Sequence, residues 1–342
     1  MARRARGQIA RADVPGTYHL SSRCVRRAFL MGTDSYTGID YNHRRLWVDE
    51  RLKLLVANFG IDVAFTASLS NHLHLVVRTY PRMLQRMSNM EVARRWLWVF
   101  PGKRVLDGNW IKPDEKRVKA LAKNKKLIKK LRRRLSDISW FMSALSEYIA
   151  RRSNKEDEVT GRFWEGRFKS RCVSGENALL ICGLYVDLNP VRAAEYALPE
   201  DAPHTSVAHR IACRKSKAPQ QSDDWLAEFT RTESNRDLEQ PSASGRRATD
   251  QGLLPISLDE YLQILDCVGR QERPGKRGKI PENVAPILER LGIKADALHD
   301  TVVNYDDCFA DFVASADEFS DRAKETGAKF LHGRRAARRI FE

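Results

Sequence analysis

The heptapeptide Asn71-His72-Leu73-His74-Leu75-Val76-Val77 places two histidines on either side of a single leucine. It follows the apolar residues of 61–65, and its own end is apolar. Successive side chains of a β-strand point to opposite faces, so His72 and His74 would share one face while Leu73 enters a core. Two imidazoles on one rigid element indicate a divalent metal site. The alternative is two polar residues on the wet face of a half-buried strand.

Composition indicates a partner with many phosphates. The 342 residues are enough for a sizeable core and for roughly two domains. They include 60 Lys and Arg against 44 Asp and Glu, which gives a net charge of +16. The basic excess is not confined to a tail, which favours nucleic acid as the partner. The alternative is a solvated basic surface with no specific partner.

The cysteines and the N-terminus predict a cytoplasmic protein. No pair of cysteines forms a Cys-x-x-Cys motif, which argues against a zinc ribbon and a disulfide framework. The N-terminus is basic, but no apolar signal core follows it. No run approaches the roughly 18 apolar residues of a membrane span, so no membrane partner is expected. The six cysteines are Cys24, Cys172, Cys182, Cys213, Cys267 and Cys308.

Hydrophobic periodicity predicts an α+β fold. Alternation predicts strands at 17–22, 61–68, 72–79 and 162–173, and three-to-four spacing predicts helices at 42–58, 82–99 and 176–194. The order β-α-β-β-α-β is that of a ferredoxin-like antiparallel sheet, for which we expect the helices on one face.

The regions around this pattern have distinct compositions. Residues 1–14 form a basic arm, 15–213 a first domain, 214–252 a linker, and 253–342 a mostly helical accessory region. The last region is interpreted either as a DNA-binding module or as a helical cap on the first domain.

An insertion at 101–160 interrupts the first domain. From Lys116 to Arg134 it has eleven Lys or Arg residues and no acid, on a helical apolar stripe. A block of like charge is a solvated face or an interaction arm. The absence of acids to form intrahelical pairs favours an arm that binds phosphates.

The helix at 176–194 carries two polar residues one turn apart. Tyr185 and Asn189 lie on one helical face. The apolar face is formed by leucine and isoleucine residues that include Leu180, Ile181 and Leu184. The tyrosine and the amide could both address the surface that holds His72 and His74. The alternative is an amphipathic tyrosine and an asparagine that ends the helix before a proline.

Together these motifs resemble the HUH single-tyrosine transposases, in particular the REP-associated tyrosine transposases. The resemblance covers roughly residues 15–210. It rests on His72-Leu73-His74, on Tyr185-Val186-Asp187-Leu188-Asn189-Pro190-Val191-Arg192, on Gly161-Arg162-Phe163-Trp164-Glu165-Gly166-Arg167-Phe168-Lys169-Ser170, and on Tyr18-His19-Leu20-Ser21-Ser22-Arg23. The chain departs from that family at His204-Thr205-Ser206, where the family often has Trp-Ser-Ser.

The resemblance implies an enzyme that nicks and rejoins DNA. It implies that His72, His74 and Asn189 bind Mg²⁺ or Mn²⁺ and that Tyr185 is the nucleophile, within a catalytic domain at 15–213. The implied substrate is single-stranded DNA with hairpins from repetitive palindromic elements, cut through a 5′-phosphotyrosine during transposition. The implied protein is a monomer or homodimer of the bacterial cytosol or nucleoid.

Further residues are predicted to bind DNA because charge and aromatic rings alternate among them, a pattern that suits single strands. For Trp164 the alternative is a place in the core, and for His19 and Lys169 it is a structural role. The predicted set is His19, Arg23, Arg162, Trp164, Arg167, Lys169, Arg171 and Arg192.

Two other functions fit the same residues. One is a DNA- or RNA-hairpin-binding protein that keeps the fold without the chemistry. The other is a metal-dependent hydrolase that uses water as the nucleophile at the same histidines. The sequence has no phosphate-binding Gly-x-x-x-x-Gly-Lys-Ser/Thr loop, which fits strand rejoining without ATP.

Overall fold

The structure is a computed structural model. It describes residues 12–25, 31–34, 36–102, 109–215, 225–236, 239–271, 302, 304–309, 312–314, 316–326 and 331–341. Most of the predicted basic arm, residues 1–11, lies outside this range, as do residues 216–224 of the predicted linker.

Among the described residues are five strands, twelve α-helices and one short 3₁₀ helix, Pro199–Asp201. The strands and α-helices follow the order β1 (Gly16–Arg23), α1 (His43–Asn58), β2 (Ile61–Ser68), β3 (His72–Thr79), α2 (Pro81–Arg86), α3 (Asn89–Val99), α4 (Glu115–Lys123), α5 (Lys125–Arg134), α6 (Ile138–Glu156), β4 (Lys169–Val173), α7 (Glu176–Arg192), α8 (Ser206–Lys215), α9 (Leu258–Gln271), α10 (Tyr305–Cys308), β5 (Phe312–Val313), α11 (Ala316–Thr326) and α12 (Arg334–Phe341). The predicted insertion therefore contributes α4, α5 and α6.

The strands form one sheet in the order β2-β3-β1-β4-β5. The first three neighbouring pairs are antiparallel, and β5 runs parallel to β4. The prediction of an α+β protein is confirmed, and the sheet, predicted to be antiparallel, is mostly so.

Helices cover both faces of the sheet, whereas the sequence predicted them on one face. Leu20, Leu73 and Leu75 point into a core shared with α1 and α6, while Phe65 and Val76 point into a second core shared with α7. All eight residues of β2 are buried, so both of its faces require cover.

A bulge in β2 helps to supply both cores. Val63 pairs with Val77, but Phe65 pairs with Val76, so Ala64 is the extra residue. Such a residue shifts the side-chain alternation of the strand. Val63 therefore joins the core of α1, and Ala64 and Phe65 both join the core of α7.

The fourth strand is shorter than predicted, because β4 begins at Lys169 rather than at 162. Ser21 pairs with Lys169, and Cys24 pairs with Trp164. Between these pairs, two residues of β1 face the four residues 165–168, so the ladder is interrupted there, although the amide of Glu165 still donates to the carbonyl of Arg23 at 2.8 Å. These four residues are defined here as the rim loop, in which Glu165, Gly166 and Arg167 are exposed and Phe168 is half-buried against the core of α1.

The described residues within 225–252 pack against the sheet, whereas the sequence predicted a linker. Trp225 and Leu226 are buried in the core of α1, and the amide of Ala227 donates to the carbonyl of Val63 at 2.9 Å. β2 is an edge strand, and this segment covers its unpaired backbone. The linker was predicted because the segment is mostly polar and only a few apolar residues anchor it.

The described C-terminal residues share a core with α7. Tyr261 and Ile264 of α9 and Tyr305 of α10 are buried in it, and β5 extends the sheet. The same core thus includes residues on both sides of position 253, which is the arrangement of a helical cap. Among the described residues, none of the helices combines the length and apolar character that crossing a bilayer requires.

Candidate active site

The strand register assembles a polar surface on the face of the sheet that α7 covers. Residues paired across antiparallel strands have side chains on the same face. Ser21 of β1 lies between His74 of β3 and Lys169 of β4, and His19 lies opposite Arg171. Arg23 lies opposite His72. One face of three neighbouring strands therefore carries most of the residues that the sequence predicted to act together.

Helix α7 brings Tyr185 and Asn189 to this surface. The Oδ1 atom of Asn189 lies 3.2 Å from Nε2 of His72. The ring of Tyr185 packs edge-on against His74 and His19, with centroids 5.5 and 5.8 Å apart. All four residues of the predicted catalytic set are therefore neighbours, although the two histidines are more than 100 residues from Tyr185 and Asn189 in sequence.

Tertiary contacts fix the position of α7. Gly183 lies so close to β2 that a Cβ atom added there would be 2.5 Å from the ring of Phe65. The buried carboxylate of Asp187 accepts hydrogen bonds from the Ser206 hydroxyl at 2.5 Å and the Tyr261 hydroxyl at 2.7 Å. Because Asp187 lies between Tyr185 and Asn189 in the chain, these bonds hold the segment that carries both.

Contacts at Nδ1 define one tautomer for both strand histidines. Nδ1 of His72 lies 2.6 Å from Oδ1 of Asn71, which is the shorter of its two ring contacts with amide oxygens and favours the proton on Nδ1. Nδ1 of His74 lies 2.9 Å from Nε2 of His19. A proton on Nδ1 of His74 completes this bond. In that tautomer, the Nε2 atoms of His72 and His74 both keep a lone pair.

The environment keeps His74 neutral. Burial lowers the pKa of its imidazole well below the usual value, and the nearby His72, His19, Arg171 and Arg23 lower that pKa further. A neutral imidazole is the form that binds metals.

The donor atoms fit a divalent cation. In this tautomer, the Nε2 lone pair of His72 faces the amide oxygen of Asn189. A cation bound between these two atoms would remove the repulsion between their lone pairs. Their 3.2 Å separation is close to the roughly 3 Å between adjacent ligands of an octahedral Mg²⁺ ion. The described residues include no group of three or more His, Cys, Asp or Glu placed to hold a metal. The candidate set is therefore two imidazoles and one amide oxygen.

A cleft of about 670 Å³ opens beside these groups. The rim loop forms one wall of it, and the exposed cations Arg23, Arg167 and Lys169 line it. The complete lining is Ser21, Ser22, Arg23, His72, His74, Glu165, Gly166, Arg167, Lys169, Tyr185 and Asn189.

Five of the eight predicted DNA-binding residues are absent from the cleft lining. Two of them, His19 and Arg171, lie opposite each other on the sheet face that carries the histidines. Arg162 is exposed before the rim loop. Trp164 packs against the core of α1, and its indole N–H donates to the carbonyl of Ser146 at 2.9 Å. Arg192 donates to the carbonyl of Val302, and its guanidinium lies 5.8 Å from the ring centroid of Tyr185. These contacts place Trp164 and Arg192 in packing roles.

Sequence reasoning missed Tyr305, which belongs to the C-terminal region. Its ring stacks on that of Tyr185 with centroids 4.2 Å apart, and its hydroxyl lies 3.0 Å from Sγ of Cys182. The guanidinium of Arg171 lies 5.5 Å from the Tyr305 ring centroid. No local pattern marks a tyrosine that is about 120 residues from its stacking partner, so this contact could not be predicted from local sequence.

The departure at His204-Thr205-Ser206 has a structural role. Ser206 holds Asp187 of α7, as described above, and Nδ1 of His204 lies 2.6 Å from the carboxylate of Asp49 in α1. The segment therefore connects α7 to a helix of the opposite face.

Comparisons with known proteins give one distant likeness. No family profile matches the sequence, and no curated protein matches it. Among solved structures, the chain is similar to the structure of a REP-associated tyrosine transposase bound to a REP hairpin. The two share 12% sequence identity over 58% of this chain and 79% of that chain, with a TM-score of 0.33. A likeness of that size does not establish a common fold.

Proposed function

We propose that the protein is a metal-dependent endonuclease and strand transferase that acts on single-stranded DNA through Tyr185. The observation that carries the proposal is the convergence of four groups: Asn189 lies 3.2 Å from His72, and Tyr185 packs on His74. The strand order β2-β3-β1-β4 with antiparallel neighbours supports a ferredoxin-like core of the HUH type. The proposed metal is Mg²⁺ or Mn²⁺, held by His72, His74 and Asn189.

The proposed reaction is a transesterification. The Tyr185 oxygen, having lost its proton, forms a bond to the phosphorus as the bond from phosphorus to the 3′ oxygen breaks. The products are a 5′-phosphotyrosine and a strand with a free 3′-OH, which takes up a proton. When bound, the cation would stabilise charge on the phosphate. The ester bond energy is retained in the phosphotyrosine, so rejoining needs no ATP.

The chain's own residues bind and orient the strand. A phenol has a pKa near 10, so the nucleophile must be oriented as well as deprotonated. Stacking on Tyr305 and packing on two imidazoles restrict the ring of Tyr185. Arg23, Arg167 and Lys169 line the cleft, where they would contact phosphates of the strand. The proposed partner is hairpin-bearing DNA of the bacterial cytoplasm, bound by a monomer or homodimer.

The test is adduct formation with a labelled single-stranded hairpin oligonucleotide in the presence of Mg²⁺ or Mn²⁺. Wild type should form a covalent protein–DNA species that withstands denaturing gel electrophoresis, and Tyr185→Phe should form none. Tyr36→Phe is the matched control because Tyr36 is 96% exposed and lies outside the cleft. The proposal is overturned by an adduct that persists in Tyr185→Phe or by its absence in wild type.

The burial of Tyr185 favours a second candidate, a hairpin-binding protein on the same fold without chemistry. Only 6% of Tyr185 is exposed, and Tyr305 covers one face of its ring. This candidate predicts hairpin binding that depends on salt but is indifferent to metal and to His72→Ala. If the Tyr185→Phe variant still cleaves the DNA and no adduct forms, the protein would instead be a hydrolase that uses water as the nucleophile.

A further inference from the structure

Helices α4 and α5 form a helical hairpin, defined here by residues 115–134. Asn124 separates the two helices, and its side chain accepts a hydrogen bond from the amide of Leu127 at 3.0 Å, which caps α5. Val118 and Ala122 of α4 and Ile128 and Leu131 of α5 are buried in the core that also contains α3. The hairpin is therefore a fixed part of the fold rather than a loose arm.

The outer surface of the hairpin is basic, and the described residues do not neutralise it. Its seven lysines are all exposed, and none lies within 4.0 Å of a carboxylate among the described residues. The acid at its start, Glu115, pairs with Arg94 at 3.3 Å instead. These lysines are Lys116, Lys119, Lys123, Lys125, Lys126, Lys129 and Lys130.

The spacing of these cations works against the helices. Lys125, Lys129 and Arg133 follow one another at intervals of four residues, as do Lys126 and Lys130. Like charges at that spacing repel each other and destabilise a helix. An anionic partner would remove the repulsion.

The hairpin and the cleft lie at opposite ends of the sheet. The carbonyl of Leu135, directly after α5, accepts from the amide of Gly60 at 2.9 Å, just before β2 begins. Arg132 donates to the carbonyl of Leu84, shortly after β3 ends. His72 begins β3, and at the rise of a β-strand the end of β3 is about 24 Å from it. The hairpin also packs on the sheet face opposite to α7.

The composition of the hairpin fits a phosphate backbone rather than bases. The segment has no aromatic residue on which an unpaired base could stack. Seven of its eleven cations are lysines, which act on phosphates as compact point charges without the planar fork of arginine. Duplex DNA presents about one phosphate per 1.7 Å of axis, which gives such a surface its densest set of contacts.

We propose that the hairpin of α4 and α5 is a second nucleic-acid-binding surface, which holds the backbone of double-stranded DNA. It is independent of sequence and separate from the strand bound in the cleft. The chain would then hold two DNA segments at once, one at each end of its sheet.

The test compares two variants that lower the net charge equally. In the first, Lys125, Lys126, Lys129 and Lys130 are replaced by glutamine. In the second, the exposed Lys112, Lys155, Arg236 and Lys324 are replaced instead. Binding to a labelled, blunt-ended DNA duplex that contains no DNA hairpin is measured by fluorescence anisotropy from 50 to 300 mM salt. No divalent metal is present, so this assay reports duplex binding alone. A loss of duplex binding is therefore distinguished from a failure of Tyr185 to form an adduct, which is measured separately.

The first variant should reduce the slope of log affinity against log salt by about 3 to 4, or roughly 0.9 for each lost phosphate contact. The second should keep nearly the wild-type slope. Equal slopes for the two variants would overturn the proposal. So would a loss restricted to single-stranded DNA or to phosphatidylserine vesicles while duplex binding is unchanged.

A measurement on the unmodified chain guards against misfolded variants. Bound duplex should protect Lys125, Lys126, Lys129 and Lys130 from an amine-reactive reagent, as followed by mass spectrometry of peptides. Lys112 and Lys324 should react equally with and without duplex. Equal labelling of the four hairpin lysines in both conditions would contradict the proposed surface.

Discussion

At the scale of single residues, the candidate cation site has only neutral ligands. Two imidazoles and the amide of Asn189 would leave the full charge of a divalent ion for a bound phosphate. A carboxylate in place of Asn189 would offset half of that charge. The cost of neutral ligands is lower affinity, so the groups that orient the histidines gain importance.

His19 should control metal affinity through His74. Replacing His19 by alanine removes the partner of Nδ1 of His74, and the affinity for Mn²⁺ should fall about 10- to 100-fold, as is usual for groups that orient a ligand. Isothermal titration with Mn²⁺ measures this. His19→Gln, which retains an acceptor, should recover much of the affinity. An unchanged affinity in His19→Ala would show that His19 does not orient His74.

Asp62 should make stability depend on pH. Burial raises the pKa of its carboxyl to about 6, although hydrogen bonds from Thr249 and Ala248 oppose the shift. The folded state therefore binds this proton more tightly than the unfolded state, and the contribution to stability is lost as pH rises from about 4 through 6.

Asp62→Asn should thus gain on wild type as pH rises. The difference in unfolding free energy between the two proteins should shift by up to about 3 kcal/mol in favour of the variant between pH 4 and pH 7, since one pKa unit corresponds to about 1.4 kcal/mol. Urea denaturation at both pH values provides the measurement. Parallel pH curves for the two proteins would contradict the assignment.

At the scale of elements, local pattern was sufficient where an element packs regularly. It predicted the strands around His72 and the helix that carries Tyr185, because periods of two and of three to four record which side is buried. It failed at 162–168, where alternation was present but the rim loop leaves the ladder of β1. The departure depends on the partner strand, which the local sequence does not contain.

The fit of α7 against β2 should be sensitive to one methyl group. Gly183→Ala places a Cβ atom 2.5 Å from the ring of Phe65, which is fully buried between Phe229 and Tyr261. Overpacking costs about 1–3 kcal/mol, against a gain of about 1 kcal/mol for alanine in a helix. We expect a net loss of about 1 kcal/mol and a lower Tm.

Gly166→Ala is the matched control for this experiment. A Cβ atom at Gly166, in the rim loop, meets nothing within 4 Å. Its Tm should stay within about 1 °C of wild type, because open surface substitutions rarely change stability. Calorimetry on both variants decides whether the contact of α7 with Phe65 is as tight as described. Equal Tm values for the two variants would mean that β2 shifts enough to accommodate the added methyl group.

At the scale of the whole molecule, the division expected at 214–252 is crossed by packing. Tyr261 and Tyr305 reach α7 from beyond the predicted boundary, and Trp225 joins the other core. Composition predicted a linker because polar residues outnumber these anchors. Long-range contacts of this kind produce no periodic pattern in the sequence, and for the same reason Tyr305 was not predicted.

The shared core predicts a single unfolding transition. All seven tryptophans precede residue 226, so their fluorescence reports only the N-terminal part, whereas far-UV circular dichroism also reports α9, α11 and α12. Urea unfolding curves from the two probes should coincide, as they do for one cooperative unit. A separate transition in circular dichroism would show that the C-terminal region unfolds by itself.

The rim loop gives this molecule a place where its cleft can be redesigned. The ladder between β1 and β4 is intact from Lys169 onwards, and Cys24 and Trp164 resume the pairing on the other side. Residues 165–168 are thus a graft site between two fixed anchors, comparable to the exchangeable loops of an antibody. A library of loop sequences and lengths could be installed there to alter which nucleotides reach Tyr185, without changing the strands that carry His19 and His74.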